Sequence, residues 1–294
     1  MDCHDGCLRF FDGAYYLYGT AYGNTDGFTP ANRYVVYRSD DLRTWAPLGD
    51  LLDTRIDGVG YRPYVVFNPT TRKYVLWFNW YPKLWEGQFG VALSDRPEGP
   101  FKVYEGDVKV AQPKPGDHNL FVDDDGSGYV VYTSIEGDGS GDHGMSVERL
   151  NEGYTRSIKD SSGIFATGVE APAMFKHAGR YICLVGRCCC FCPEGANAAV
   201  YVSDHPLDPW TLAGEINLAD STDAKGTPIV AGQQTDVAVL PGVDGPLHVW
   251  MADKWGSRPD GIKGHDVQHW EPLRFDEHGL PLPLTGAPTW EYTR

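Results

Sequence analysis

Apolar and polar positions alternate along this chain in short runs, and each run breaks at a Gly or Asp before the next begins. Leu8-Arg9-Phe10-Phe11 meets Asp12-Gly13 and resumes at Ala14-Tyr15-Tyr16. The same apolar strand, tight turn and aromatic strand recur at 64–68 with 73–77, at 119–126 with 128–132, at 173–176 with 180–184, and at 236–240 with 247–251. Alternation with period two marks a half-buried strand, and a Gly or Asp turn between two such runs marks a hairpin. Each unit then offers a third strand, as at 33–40, 89–95 and 198–204, and a looser fourth around Trp45, Phe101 or Trp210. Five units of four antiparallel strands, with little helical periodicity, predict an all-β, five-bladed β-propeller occupying residues 1–294 as one domain. A pair of β-sandwiches is the alternative.

Composition agrees with many tight turns: the chain has 35 Gly and 21 Pro in 294 residues, and 13% aromatic side chains to fill a core. The formal charge of −15 repels phosphate backbones, so nucleic acid is excluded as a partner, whereas a neutral ligand is indifferent to that field. No apolar run reaches membrane-spanning length, and no membrane partner is expected. Met1-Asp2-Cys3-His4-Asp5 has neither the basic nor the apolar stretch of a signal peptide. The cytoplasm is the expected location, a secreted form with its leader removed being the alternative. Seven cysteines, three of them adjacent at 188–190, do not form a disulfide framework, and the run through Cys192 lacks the paired knuckles of a zinc site. Reduced thiols and no metal ligands are expected there. Asp123-Asp124-Asp125-Gly126 has the look of a calcium loop but reads better as a hairpin turn.

The segment that points to chemistry is Gly168-Val169-Glu170-Ala171-Pro172-Ala173-Met174-Phe175-Lys176. A Glu at the mouth of a strand projects into a cleft while the strand behind holds it still, as a general acid must be held. A carboxylate at a strand start is otherwise a surface group.

Several motifs, in order, give the chain a family likeness. They are Ser94-Asp95 with Gly99-Pro100-Phe101, Asp117-His118-Asn119-Leu120-Phe121, Glu170 with its Ala-Pro strand, Gly232-Gln233-Gln234-Thr235 and Ala252-Asp253-Lys254-Trp255. Together they resemble the five-bladed glycoside hydrolases of family 43, and within them the exo-β-1,3-galactanase branch, over essentially the whole chain. The resemblance implies an inverting, exo-acting hydrolase of galactose- or arabinose-type linkages, with an oligo- or polysaccharide substrate and no required cofactor. A structural cation in the central channel is the one ion the likeness allows. It implies that Glu170 is the general acid and that Asp117 tunes and orients it.

For the base the likeness leaves two residues. Asp5, ahead of the Tyr15-Tyr16 pair, suits the aspartate that most of the family uses. Gln233 suits the glutamine that the galactanase branch uses to position water, and an amide is a poor proton acceptor. His4, Tyr61, Arg62, Trp80, Asp253 and Trp255 lie near predicted strand ends and are expected to line a sugar pocket, although each aromatic among them is equally suited to the core. Two departures stand out. Tyr61-Arg62-Pro63 replaces the branch's Glu-Arg-Pro, and Cys188-Cys189-Cys190-Phe191 replaces a Cys-Thr-Gly-Trp stretch, altering a sugar-stacking platform. A catalytically silent carbohydrate-binding propeller and a protein-interaction scaffold are the competing classes. Convergence of Asp5, Asp117, Glu170 and Gln233 at one end of the channel separates the scaffold from the other two.

Overall fold

The computed structural model describes residues 1–136, 142–187, 191, 193–219 and 226–293. Five antiparallel sheets follow one another along the chain. The first holds β1 (His4–Phe11), β2 (Ala14–Ala21), β3 (Arg33–Ser39) and β4 (Ala46–Asp50). The second holds β5 (Val59–Asn68), β6 (Lys73–Tyr81), β7 (Gln88–Ser94) and β8 (Lys102–Val108). The third holds β9 (Pro115–Val122), β10 (Gly128–Ser134), β11 (Gly144–Leu150) and β12 (Ser157–Thr167). The fourth holds β13 (Val169–His177), β14 (Arg180–Arg187), β15 (Ala199–Ser203) and β16 (Thr211–Glu215). The fifth pairs β17 (Gln233–Leu240), β18 (Leu247–Lys254) and β19 (Val267–Pro272), three strands among the described residues. The strands β1, β5, β9, β13 and β17 touch one another around a central channel, and the architecture is a five-bladed β-propeller.

The burial pattern explains the layering. Every residue of β2 and of β10 is buried, because a strand inside a blade is covered on both faces by the neighbouring blades. The outermost strand β4 is exposed throughout. Apolar clusters fill the gaps between blades: Trp77, Phe78 and Phe89 between the first three, and Phe175, Leu184 and Trp250 between the fourth and fifth.

Among the described residues no strand is exchanged between the first and last blades, and polar clasps join them. Arg9 Nη1 meets Asp236 Oδ2 at 2.5 Å, and the same oxygen accepts the Leu8 amide at 3.3 Å. Asn119 Nδ2 donates to the other oxygen of Asp236 at 2.9 Å. The segment after β19 adds a further tie, with the Tyr15 and Tyr292 hydroxyls 3.0 Å apart.

Every innermost strand carries a bulge near one mouth of the channel. Asp5 and Gly6 oppose Gly19 alone, Arg62 is inserted between Tyr61 and Pro63, and Gly116 and Asp117 oppose Thr133. Ala171 and Pro172 oppose Val185, and Thr235 is inserted between Gln234 and Asp236. Three bulge residues are left-handed without being glycine: Asp5 at φ 58°, Arg62 at 48° and Ala171 at 53°. Such strained backbone re-aims a side chain that regular alternation would send into a blade. At Gly6 the chains approach so closely that a Cβ would stand 1.7 Å from the Tyr18 carbonyl oxygen.

Candidate active site

The bulges bring five polar side chains, one per blade, to the floor of one pocket with an empty volume of about 460 Å³. They are Asp5, Arg62, Asp117, Glu170 and Gln233. Phe28, Tyr61, Tyr81, Leu84, Trp85 and Phe191 form its walls and mouth. Asp5, Arg62, Glu170 and Gln233 are buried.

Three carboxyl groups therefore share the pocket with the Arg62 guanidinium. Arg62 Nε donates to Asp117 Oδ1 at 2.8 Å, and Asp117 Oδ2 accepts the Ala171 amide at 3.2 Å. Asp117 thus ties the guanidinium to the bulge that follows Glu170. Burial pushes its carboxyl above the usual range, with Arg62 opposing. Arg62 Nη1 is buried and has no hydrogen-bond partner among the described residues.

Asp5 sits differently. Burial pushes its carboxyl up to about 7, Arg62 pulls it down, and the Asp253 carboxylate pushes it up again. Tyr22 donates its hydroxyl to Asp5 Oδ2, and burial drives the Tyr22 phenol upward so that it stays a donor. Asp253 holds the left-handed Asp5 from behind. Its Oδ2 accepts the Asp5 amide at 2.7 Å, and its Oδ1 lies 2.8 Å from His4 Nδ1. Burial pulls the His4 imidazole toward neutrality, but Asp253, helped by Asp5 and Asp2, pushes the other way and the ring ends up above its ordinary value.

Glu170 is gripped by a second set of groups. Gln233 Nε2 donates to Glu170 Oε1 at 2.7 Å, and His143 Nδ1 lies 3.7 Å from Oε2. The Gln233 oxygen accepts from Trp255 Nε1 at 3.0 Å. Trp255 is fixed in turn by the Phe191 ring at 4.8 Å and by the Tyr22 ring at 5.9 Å.

Of the residues expected from sequence, Asp5, Tyr61, Arg62, Asp117, Glu170 and Gln233 line the pocket. His4, Asp253 and Trp255 are buried behind it and touch its lining rather than its space. Trp80 does not belong to the site: its indole donates to the Gly106 carbonyl at 2.7 Å and packs against the core of the first three blades. Both faces of β6 are buried, so alternation there could not tell core from cleft. Tyr22, Phe28, Leu84, Trp85 and His143 carried no sequence signal, because they sit on or beside loops without periodicity. The 123–126 segment closes the β9–β10 hairpin: the Asp123 amide donates to the Ser127 carbonyl at 2.9 Å, and Lys176 Nζ donates to the Asp123 carboxylate at 2.8 Å. Cys3, Cys7 and Cys183 are buried free thiols, while Cys188, Cys189, Cys190 and Cys192 lie outside the described residues.

Among the described residues, no helix is long and apolar enough to cross a membrane. The family profile of glycosyl hydrolases family 43 matches residues 4–280. The chain belongs to this family and is a glycoside hydrolase. Solved structures repeat the fold. A family 43 β-1,3-galactosidase bound to galactodeoxynojirimycin superposes with a TM-score of 0.82 at 23% identity, covering 99% of this chain and 95% of that one. An exo-β-1,3-galactanase from Clostridium thermocellum gives 0.80 at 23% identity, covering 96% of this chain and 61% of that one. One from Phanerochaete chrysosporium, with β-1,3-galactotriose, gives 0.76 at 22%, covering 97% and 63%. This chain thus spans less than two thirds of those two galactanases. No match was found among the curated proteins.

Proposed function

We propose that this family 43 hydrolase removes one galactose- or arabinose-type residue at a time from the end of a glycan, with inversion at the anomeric carbon. The observation that carries the reading is the meeting, on one pocket floor, of carboxyl groups held in unlike environments. Two carboxyl groups facing one pocket can divide the acid and base roles of glycoside hydrolysis between them. The galactosidase and galactanase activities named for the structural neighbours support a galactose-type substrate.

Glu170 gives its proton to the glycosidic oxygen as the bond from that oxygen to the anomeric carbon breaks. Asp5 takes a proton from a water whose oxygen forms the new bond on the opposite face. The leaving group departs as an alcohol, and the sugar carries the hydroxyl. Asp117 fixes the strand under Glu170 and steadies Arg62, and Gln233 orients the Glu170 carboxyl. One observation favours a silent carbohydrate binder instead: Tyr61 stands where the galactanase branch has a carboxylate, and its hydroxyl is spent on the Gly27 carbonyl at 3.0 Å.

The test is proton NMR of the first product formed from β-1,3-galactooligosaccharides and from a panel of aryl glycosides. Release of the opposite anomer by wild type, lost in Glu170→Gln, is the expected result. Retention of configuration overturns the inverting reading. Sugar binding without turnover moves the protein to the silent class.

A further inference from the structure

The pocket changes character between floor and mouth. All its charged side chains lie at the floor, while Phe28, Leu84, Trp85 and Phe191 ring the opening. They come from three loops: β2–β3, β6–β7 and β14–β15. Phe28 is 40% exposed, Leu84 36% and Trp85 46%, an arrangement that leaves large apolar side chains facing water around the entrance. They form one surface, with Phe28 centred 5.0 Å from Phe191 and 6.3 Å from Trp85. Trp85 and Phe191 are also left-handed, at φ 69° and 52°.

Whatever is attached to the sugar on the floor must pass this ring. Phe28, Leu84 and Phe191 offer no side-chain hydrogen bond, and the nearby Tyr61 hydroxyl is already committed to Gly27. A second sugar pressed here would find only the Trp85 indole N–H among the four ring side chains, so most of its hydroxyls on that face would lose water without a partner, which is unfavourable. An aromatic or alicyclic group would instead cover apolar surface.

We propose that the ring is a leaving-group subsite for an aglycone with an apolar face, so that the preferred substrates are glycosides of hydrophobic alcohols. This rests on the hydrolytic reading for its substrate class, but the subsite itself can be judged by binding alone. The test compares 2-phenylethyl and methyl glycosides of the same sugar, whose leaving alcohols are similar in acidity, with the matching β-1,3-disaccharide as a third ligand. Calorimetric Kd and kcat/KM are measured for wild type and for Phe28→Ser and Trp85→Ser, both exposed and safe to change. The expected result is a Kd about tenfold lower for the 2-phenylethyl glycoside than for the methyl one in wild type, shrinking to near parity in either variant. Equal Kd values in wild type, a preference untouched by both substitutions, or tighter binding of the disaccharide overturns the proposal. Absence of turnover with the preference intact sinks the hydrolytic reading and leaves the subsite standing.

Discussion

Gln233 Nε2 lies 2.7 Å from Glu170 Oε1, while Trp255 holds the oxygen of the same amide at 3.0 Å. With both ends taken, the amide is held in one orientation, and in the proposed mechanism it fixes the Glu170 carboxyl rather than activating water. Gln233→Ala is expected to lower kcat by about 10–100-fold with KM nearly unchanged, since positioning is felt mainly in the transition state. Trp255→Phe, which removes only the indole donor, should cost less. Steady-state kinetics on one substrate with both variants measures the ordering.

Asp5 makes the pH dependence predictable. Its carboxyl, raised to about 7 chiefly by burial, must be ionised to accept a proton, so kcat/KM should climb as pH rises through about 7. Asp5→Asn should remove that limb along with about 10²–10⁴-fold of the rate.

The same shift bears on stability. The folded chain holds the Asp5 proton to a higher pH than the unfolded chain, whose Asp ionises near 3.9. Stability from this site is therefore complete below about 4 and is lost as pH rises through about 7. Asp5→Asn should thus be more stable than wild type at pH 8, by on the order of 1–3 kcal/mol, and indistinguishable at pH 4. Urea denaturation at the two pH values decides it.

Arg62 is the cation facing three carboxyl groups, and its Nε is 2.8 Å from Asp117. Arg62→Met should destabilise by about 2–3 kcal/mol, because it takes the cation away from the partly buried Asp117 and leaves it only the Ala171 amide. Adding Asp117→Asn should recover part of the loss. A double-mutant cycle by denaturant titration reads the recovery, and a purely additive pair would show that the ion pair is not what holds this floor together.

The clasp between first and last blades gives a prediction far from the pocket. Asp236→Ala strands the Arg9 charge and frees Asn119 and the Leu8 amide together. A loss of about 3–5 kcal/mol is expected. Asp236→Asn, which keeps one acceptor, should lose less, as thermal unfolding of the two variants would report.

The blades were legible because period-two alternation and Gly or Asp turns are local signals. Glu170, Asp117 and Asp5 were legible because each opens an innermost strand, where a side chain reaches the channel mouth. The bulges were not: one inserted residue flips the face of everything beside it, and nothing in the composition of Asp5-Gly6 or Tyr61-Arg62-Pro63 announces the flip. That is why His4 and Asp253, expected beside the sugar, are found behind Asp5, fixing its backbone. Trp80 misled for a related reason, as a strand buried on both faces gives no sign of which aromatic meets the cleft. Phe28, Leu84 and Trp85 owe their positions to the β2–β3 and β6–β7 loops, where no alternation runs.

The bond from the Asp5 amide to Asp253 joins residues 248 positions apart. During synthesis, then, four finished blades still leave Glu170 without Gln233 and Asp5 without its support from Asp253. Hydrolysis should reach its full rate only once the fifth blade docks. Ring closure, usually regarded as architecture, would then also be the step that completes the catalytic floor.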